Sequence, residues 1–132
     1  MMGRIDFRYD AADDIVFATP HWHIETLQDV LAWYQQYVRY FEATFAGRKV
    51  DLVLELADFR ISPSIAKDWG EHRARMTMTY TRFSCRVAAD SRVRLHVLTS
   101  GARHGASSQT DEAASVEDAV AAVKAARRAA GV

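Results

Sequence analysis

Two serines, two histidines and a group of large aromatics are the residues on which chemistry could rest. Ser62 and Ser64 flank Pro63. A Ser followed by Pro opens helices, because Pro lacks an N–H that the first turn leaves unbonded in any case. A phosphate on either hydroxyl would lie beside the free N–H groups and the positive end of that helix, adding about 1.5 to 2 negative charges. The plain alternative is that Ser62 is an ordinary N-cap and Ser64 a solvated first-turn residue. His21 and His23 flank Trp22, and two His at i and i+2 on a strand point the same way and could share a metal ion. No third ligand stands at metal-site spacing and no His-Glu-x-x-His occurs, so the pair reads as metal-free. Trp33, Tyr37 and Tyr40 lie to one side of a helical apolar stripe, and Trp69 falls on a second. Such a flank suits a protein interface or the wall of a small apolar pocket. The alternative is cover from elsewhere in the chain, such as Trp22 or an N-terminal hairpin.

Other reactive types read as structural. His72 falls on the apolar face of a helix, and Cys85 in an apolar strand is a small buried hydrophobe rather than a nucleophile. Neither a Gly-x-Ser-x-Gly elbow nor a Gly-rich phosphate loop is present. No catalytic residue, metal or cofactor is therefore expected. Arg73, Arg75, Arg82, Arg86, Arg92 and Arg94 cluster in sequence and read as a solvated face.

The chain that must position these residues has 132 of them, the size of one domain (1–132). Seventeen basic side chains balance seventeen acidic ones, so a general affinity for nucleic acid or anionic lipid is not expected. Apolar residues make up 49%, and no run is long enough to span a bilayer. The chain reads as cytoplasmic, and fourteen Arg against three Lys with twenty-two Ala fits a GC-rich bacterial genome. One cysteine excludes an internal disulfide.

Ile5, Phe7 and Tyr9 alternate with polar residues, predicting a hairpin that turns over 10–14 and returns through 15–18, with Pro20 closing the second strand. Thr26 and Asp29 form a capping-box pair for a long helix. Its stripe is Leu27, Val30, Leu31, Tyr34, Val38, Phe41 and Phe45, and Gly47 ends it. Val50 to Leu56 (VDLVLEL) reads as a central strand, with Leu52 and Leu54 on one face and Val53 on the other, and Asp51 and Glu55 marking a less buried end. Ile65, Trp69, His72 and Met76 give a second helix to about Tyr80, followed by a strand over 83–88. Residues 90–100 fit either strand or helix. A polar connection, a short strand near 109–113 and a helix capped by Ser115 complete the chain.

That order resembles the STAS domain, the anti-anti-sigma-factor-like (SpoIIAA-like, STAS/SEC14-like) fold. The local likeness lies in VDLVLELADFRISPSIAKDWG and ASVEDAVAAV. The resemblance implies residues 90–100 as helix. It also implies a single-domain α/β fold with a mixed sheet of four to five strands and helices packed on it, in the order ββαβαβαβα. It further implies a non-catalytic protein-interaction or regulatory module that docks a partner through the loop and start of the second helix, or self-associates as a dimer. A small apolar-ligand or lipid-binding domain using the aromatic flank is the alternative, with no nucleic acid and no stable membrane insertion. In regulatory STAS proteins the loop after the buried strand carries Asp-Ser-Ser/Thr-Gly, whose hydroxyl is phosphorylated. Here Ser62 and Ser64 occupy that loop without the preceding Asp or the following Gly.

Overall fold

The computed structural model describes residues 3–87 and 110–131. Alternation through Ile5, Phe7 and Tyr9 gives β1 (Arg4–Asp10), which pairs antiparallel with β2 (Ile15–Ile24). The turn between them uses Asp10, whose carboxylate accepts from the Ala12 and Asp13 N–H groups. Pro20 does not end β2, contrary to the sequence expectation. It falls between the stretch paired with a parallel neighbour at 15–18 and the stretch paired with another at 22–24, where no ladder bond needs its N–H. Gly3 packs so closely that a Cβ there would overlap the Trp22 indole and the His21 carbonyl.

Helix α1 (Leu27–Phe45) starts at Thr26 in the expected capping box. Thr26 Oγ1 accepts from the Asp29 N–H, while Asp29 Oδ2 accepts from the Glu25 and Thr26 N–H groups. The face it buries is rotated from the expected stripe. Val30, Trp33, Tyr37 and Phe41 are interior, whereas Leu27 and Leu31 stand exposed. The helix ends on left-handed Ala46 and Gly47, and Arg48 turns back to pair with Asp14 of the hairpin turn.

Strand β3 (Val50–Glu55) is interior, parallel to β2 on one side and to β5 (Thr81–Val87) on the other. Between them run β4 (Phe59–Ile61), a turn of 3-10 helix at Pro63–Ile65 and α2 (Ala66–Tyr80). Strand β4 was not foreseen. It is three residues long, with Phe59 and Ile61 buried around an exposed Arg60, and it pairs parallel with the far half of β2. Strand β6 (Thr110–Ala113) joins parallel to β5, and α3 (Val116–Ala129) follows, capped by Ser115 Oγ accepting from the Asp118 N–H. The sheet order is β1-β2-β3-β5-β6, with β4 on β2. The result is a single α/β domain with a mixed sheet, as expected. The expected helix at 90–100 lies outside the described residues. No described helix is long and apolar enough to cross a membrane.

Side-chain alternation splits the core into two layers. Val16, Ala18, Leu52 and Leu54 face α1 and α2; Ile15, Phe17, Val53 and Cys85 face Ala119 and Val123 of α3. Asp51 shares the α3 face and, contrary to expectation, is fully buried. Its carboxylate accepts from Arg82 Nε and Nη2, from the Phe83 N–H and from Arg127 Nε. Arg127 also donates to the Asp13 and Asp14 carbonyls. Arg127 thereby clamps α3 to the hairpin turn.

Asp51→Ala would strand Arg82 and Arg127, and it should lower unfolding stability by about 3–5 kcal/mol in urea titrations. Arg127→Met should cost less, since Arg82 still meets the carboxylate; a loss below about 1 kcal/mol for Asp51→Ala would remove it from this role. At the Asp29 cap, burial pushes the carboxyl pKa up, but bonds from the Glu25 N–H, the Trp22 indole and Thr26 outweigh it and hold it below its ordinary value. Its contribution is therefore complete above the ordinary value of 3.8 and is lost as pH falls through the lower folded value. Asp29→Asn should flatten the acid limb of a melting-temperature profile, and Asp29→Ala should cost about 1 kcal/mol at neutral pH.

Candidate functional site

Past its pairing with β3 at 15–18, the second half of β2 pairs with β4 and forms a rim with it. Trp22, His23 and Ile24 pair with Phe59, Arg60 and Ile61, and the Ser62 N–H continues the ladder onto the Ile24 carbonyl at 2.8 Å. This backbone bond sets Ser62 beside His23. Ser62 Oγ stands 3.1 Å from His23 Nε2, and Glu25 Oε1 stands 3.7 Å from His23 Nδ1. Ser62 occupies the N-cap position but makes no side-chain capping bond, which corrects the capping role expected for its hydroxyl. Ser64 is exposed in the 3-10 turn that runs directly into α2.

His21 lies two residues from His23 and takes different partners. Its Nδ1 is 2.9 Å from Asp58 Oδ2 and its Nε2 is 2.9 Å from Asp6 Oδ2, so it ties the outer strand β1 to the turn before β4. Among the described residues no group of His, Cys, Asp and Glu suited to a metal ion is brought together.

Ser62, His23 and Glu25 stand in the order of nucleophile, base and orienting acid. The acid is beyond hydrogen-bond length, and the His23 and Glu25 side chains are 54% and 61% exposed. Water competes for every contact there, so the geometry holds a hydroxyl beside an imidazole without the exclusion that acyl transfer needs.

The aromatic flank belongs to the interior. Trp33 and Tyr37 of α1 and Trp69 of α2 are buried, which corrects the expectation of a surface built from them. Trp33 lies 5.5 Å from Trp69 between ring centroids, and Phe59 of β4 lies 5.7 Å from Trp69. Phe7 of the hairpin meets Tyr37 edge-on at 5.3 Å and stacks on half-buried Tyr40 at 4.1 Å. The hairpin thus covers one side of the flank. The exposed large apolar residues of α1 are Leu27 and Leu31, at 50% and 43%. Helices α1 and α2 run in the same direction, as the contacts of Trp33 with Trp69 and of Phe41 with Tyr80 show. Leu27 and Leu31 therefore stand at the same end of the molecule as Ser62 and Ser64.

The expected solvated arginine face is also corrected. Arg73 is 1% exposed and Arg86 is buried, Arg82 pairs with Asp51, and Arg75 alone of the four lies exposed; Arg92 and Arg94 lie outside the described residues. Burial, with Arg86 nearby, pulls the Arg73 guanidinium down to about 10.

No protein-family model and no curated protein sequence matches the chain. Among solved structures it is similar to the anti-sigma factor antagonist SpoIIAA in its unphosphorylated form, with a TM-score of 0.53 and 13% identity over 98% of each chain. The chain thus has, along nearly its whole length, the STAS fold of SpoIIAA.

Proposed function

We propose that this protein is a non-catalytic interaction module of the cytoplasm, docking a partner protein at the rim of Ser62–Ile65 and the start of α2, with Ser62 and Ser64 as phosphate acceptors. The observation that carries the reading is the placement of Ser62. Its hydroxyl is held outward beside His23 rather than spent on a cap, and exposed Leu27 and Leu31 stand at the same end. An apolar pair at the same end of the molecule as hydroxyls at a helix start combines adhesive surface with a position where charge can be added.

A phosphate on Ser62 adds about 1.5 to 2 negative charges and three acceptor oxygens. The N-terminus of the following helix favours it, while Glu25 repels it. A partner resting apolar side chains on Leu27 and Leu31 would meet that charge at the edge of its contact, where it must be desolvated. Phosphorylation then weakens docking. The SpoIIAA structure named above, described as unphosphorylated and as an anti-sigma factor antagonist, supports reading this fold as one that works through protein contact.

Protein isolated from its native host should carry a mass gain of about 80 Da, one phosphate, mapped to Ser62 or Ser64. A photo-crosslinking residue at Leu31 should capture a protein in those cells, whereas one at exposed Met78, toward the other end of α2, should not. Ser62→Asp should reduce the Leu31 crosslink about tenfold, a shift of roughly 1.4 kcal/mol. Equal capture at both positions, or no sensitivity to Ser62→Asp, would overturn the reading.

A further inference from the structure

Four side chains packed between α1, α2 and the sheet carry polar atoms that find no partner among the described residues. Trp33 Nε1, Tyr37 Oη, Trp69 Nε1 and the Nε, Nη1 and Nη2 atoms of Arg73 are buried without a hydrogen bond. The four side chains are each at least 97% buried, and they form one contiguous group. Tyr37 lies 4.8 Å from Trp33 and Trp33 5.5 Å from Trp69 between ring centroids, and the Arg73 guanidinium carbon lies 5.9 Å from the Trp69 centroid. One buried unsatisfied group needs a reason; several together, one of them a cation, need a common one.

Their chemistry states what is missing. Indole N–H groups and a guanidinium only donate, and the phenol can donate too, so the absent partner is an acceptor with several oxygens and a negative charge. The planar fork of an arginine matches a carboxylate with two parallel bonds. Trp69 lies against the guanidinium and Phe59 against Trp69, at 5.7 Å between ring centroids, and these buried rings suit an apolar body rather than a bare inorganic ion. We propose that Arg73 is the anion-binding group of a buried site for a small organic carboxylate, with Trp33, Tyr37 and Trp69 as its walls and supplementary donors. This site lies beneath α1 and α2, apart from the Ser62 rim, and is independent of the docking reading.

The purified chain is titrated with octanoate and benzoate, with octanol and benzyl alcohol as uncharged counterparts, and with inorganic phosphate. Tryptophan fluorescence and melting temperature are followed. At least one carboxylate should give a saturable fluorescence change with a midpoint about tenfold or more below that of its alcohol, and should raise the melting temperature. Arg73→Met should abolish that difference while melting at or above the wild-type temperature without ligand, since an apolar chain replaces an unpaired charge. Should that variant fail to fold, Trp69→Phe removes one donor and keeps the wall, and it should weaken carboxylate binding several-fold. A response equal for acid and alcohol, retention in Arg73→Met, an equal midpoint for inorganic phosphate, or no response to either carboxylate would each overturn the proposal.

Discussion

A single carboxylate organises one whole side of the molecule. Asp51 lies out of water on β3 and is met by Arg82 of β5, the Phe83 N–H and Arg127 of α3. An isolated charge at that depth would be intolerable, so the two arginines and the strand that carries one of them have little freedom. Arg127 forks onward to the carbonyls of Asp13 and Asp14, and Asp14 is gripped from the other side by Arg48 and Tyr9. Hairpin turn, central strand, the end of α1 and the last described helix thus share one electrostatic knot. The opposite side of the sheet is held differently, by rings packed against aliphatic strand residues.

Local pattern carried most of the architecture. The period-two run at Ile5 to Tyr9, the Thr26 box, the apolar faces of VDLVLEL and the Ser115 cap each state their element within a few residues. What sequence left obscure depends on partners distant in the chain. Asp51 looked like the wet end of a strand because Arg127 is 76 residues away. Pro20 looked like a terminator because the two strands that share β2 leave a gap at that one position. The rotation of α1 was hidden because its apolar surface is broad: the stripe of Leu27 and Leu31 and the heavier rings of Trp33 and Tyr37 compete for the interior, and the rings bury more area.

The rim was legible in part. Ser62-Pro63 announced a helix start, and the His-x-His spacing placed both imidazoles on one side of a strand. Their meeting was not legible, since it requires β4, whose only trace is Phe59 and Ile61 alternating around Arg60. Arg73 was misplaced for a related reason: on α2 it follows Trp69 by one helical turn, a spacing that shares the apolar face, yet a charged residue reads as surface until its neighbours are seen.

The Asp51 knot also has a temporal side. Arg82 follows Asp51 by 31 residues and Arg127 by 76. At about 5–20 residues per second, ribosomal elongation separates Asp51 from Arg127 by roughly 4–15 s. Through that interval Asp51 has only Arg82 and the Phe83 N–H as partners, its face of the sheet lacks the cover of α3, and the hairpin turn lacks its clamp. The contacts between α1 and α2, which reach as far as Tyr80, can form first on the emerging polypeptide, and α3 closes the other layer afterwards.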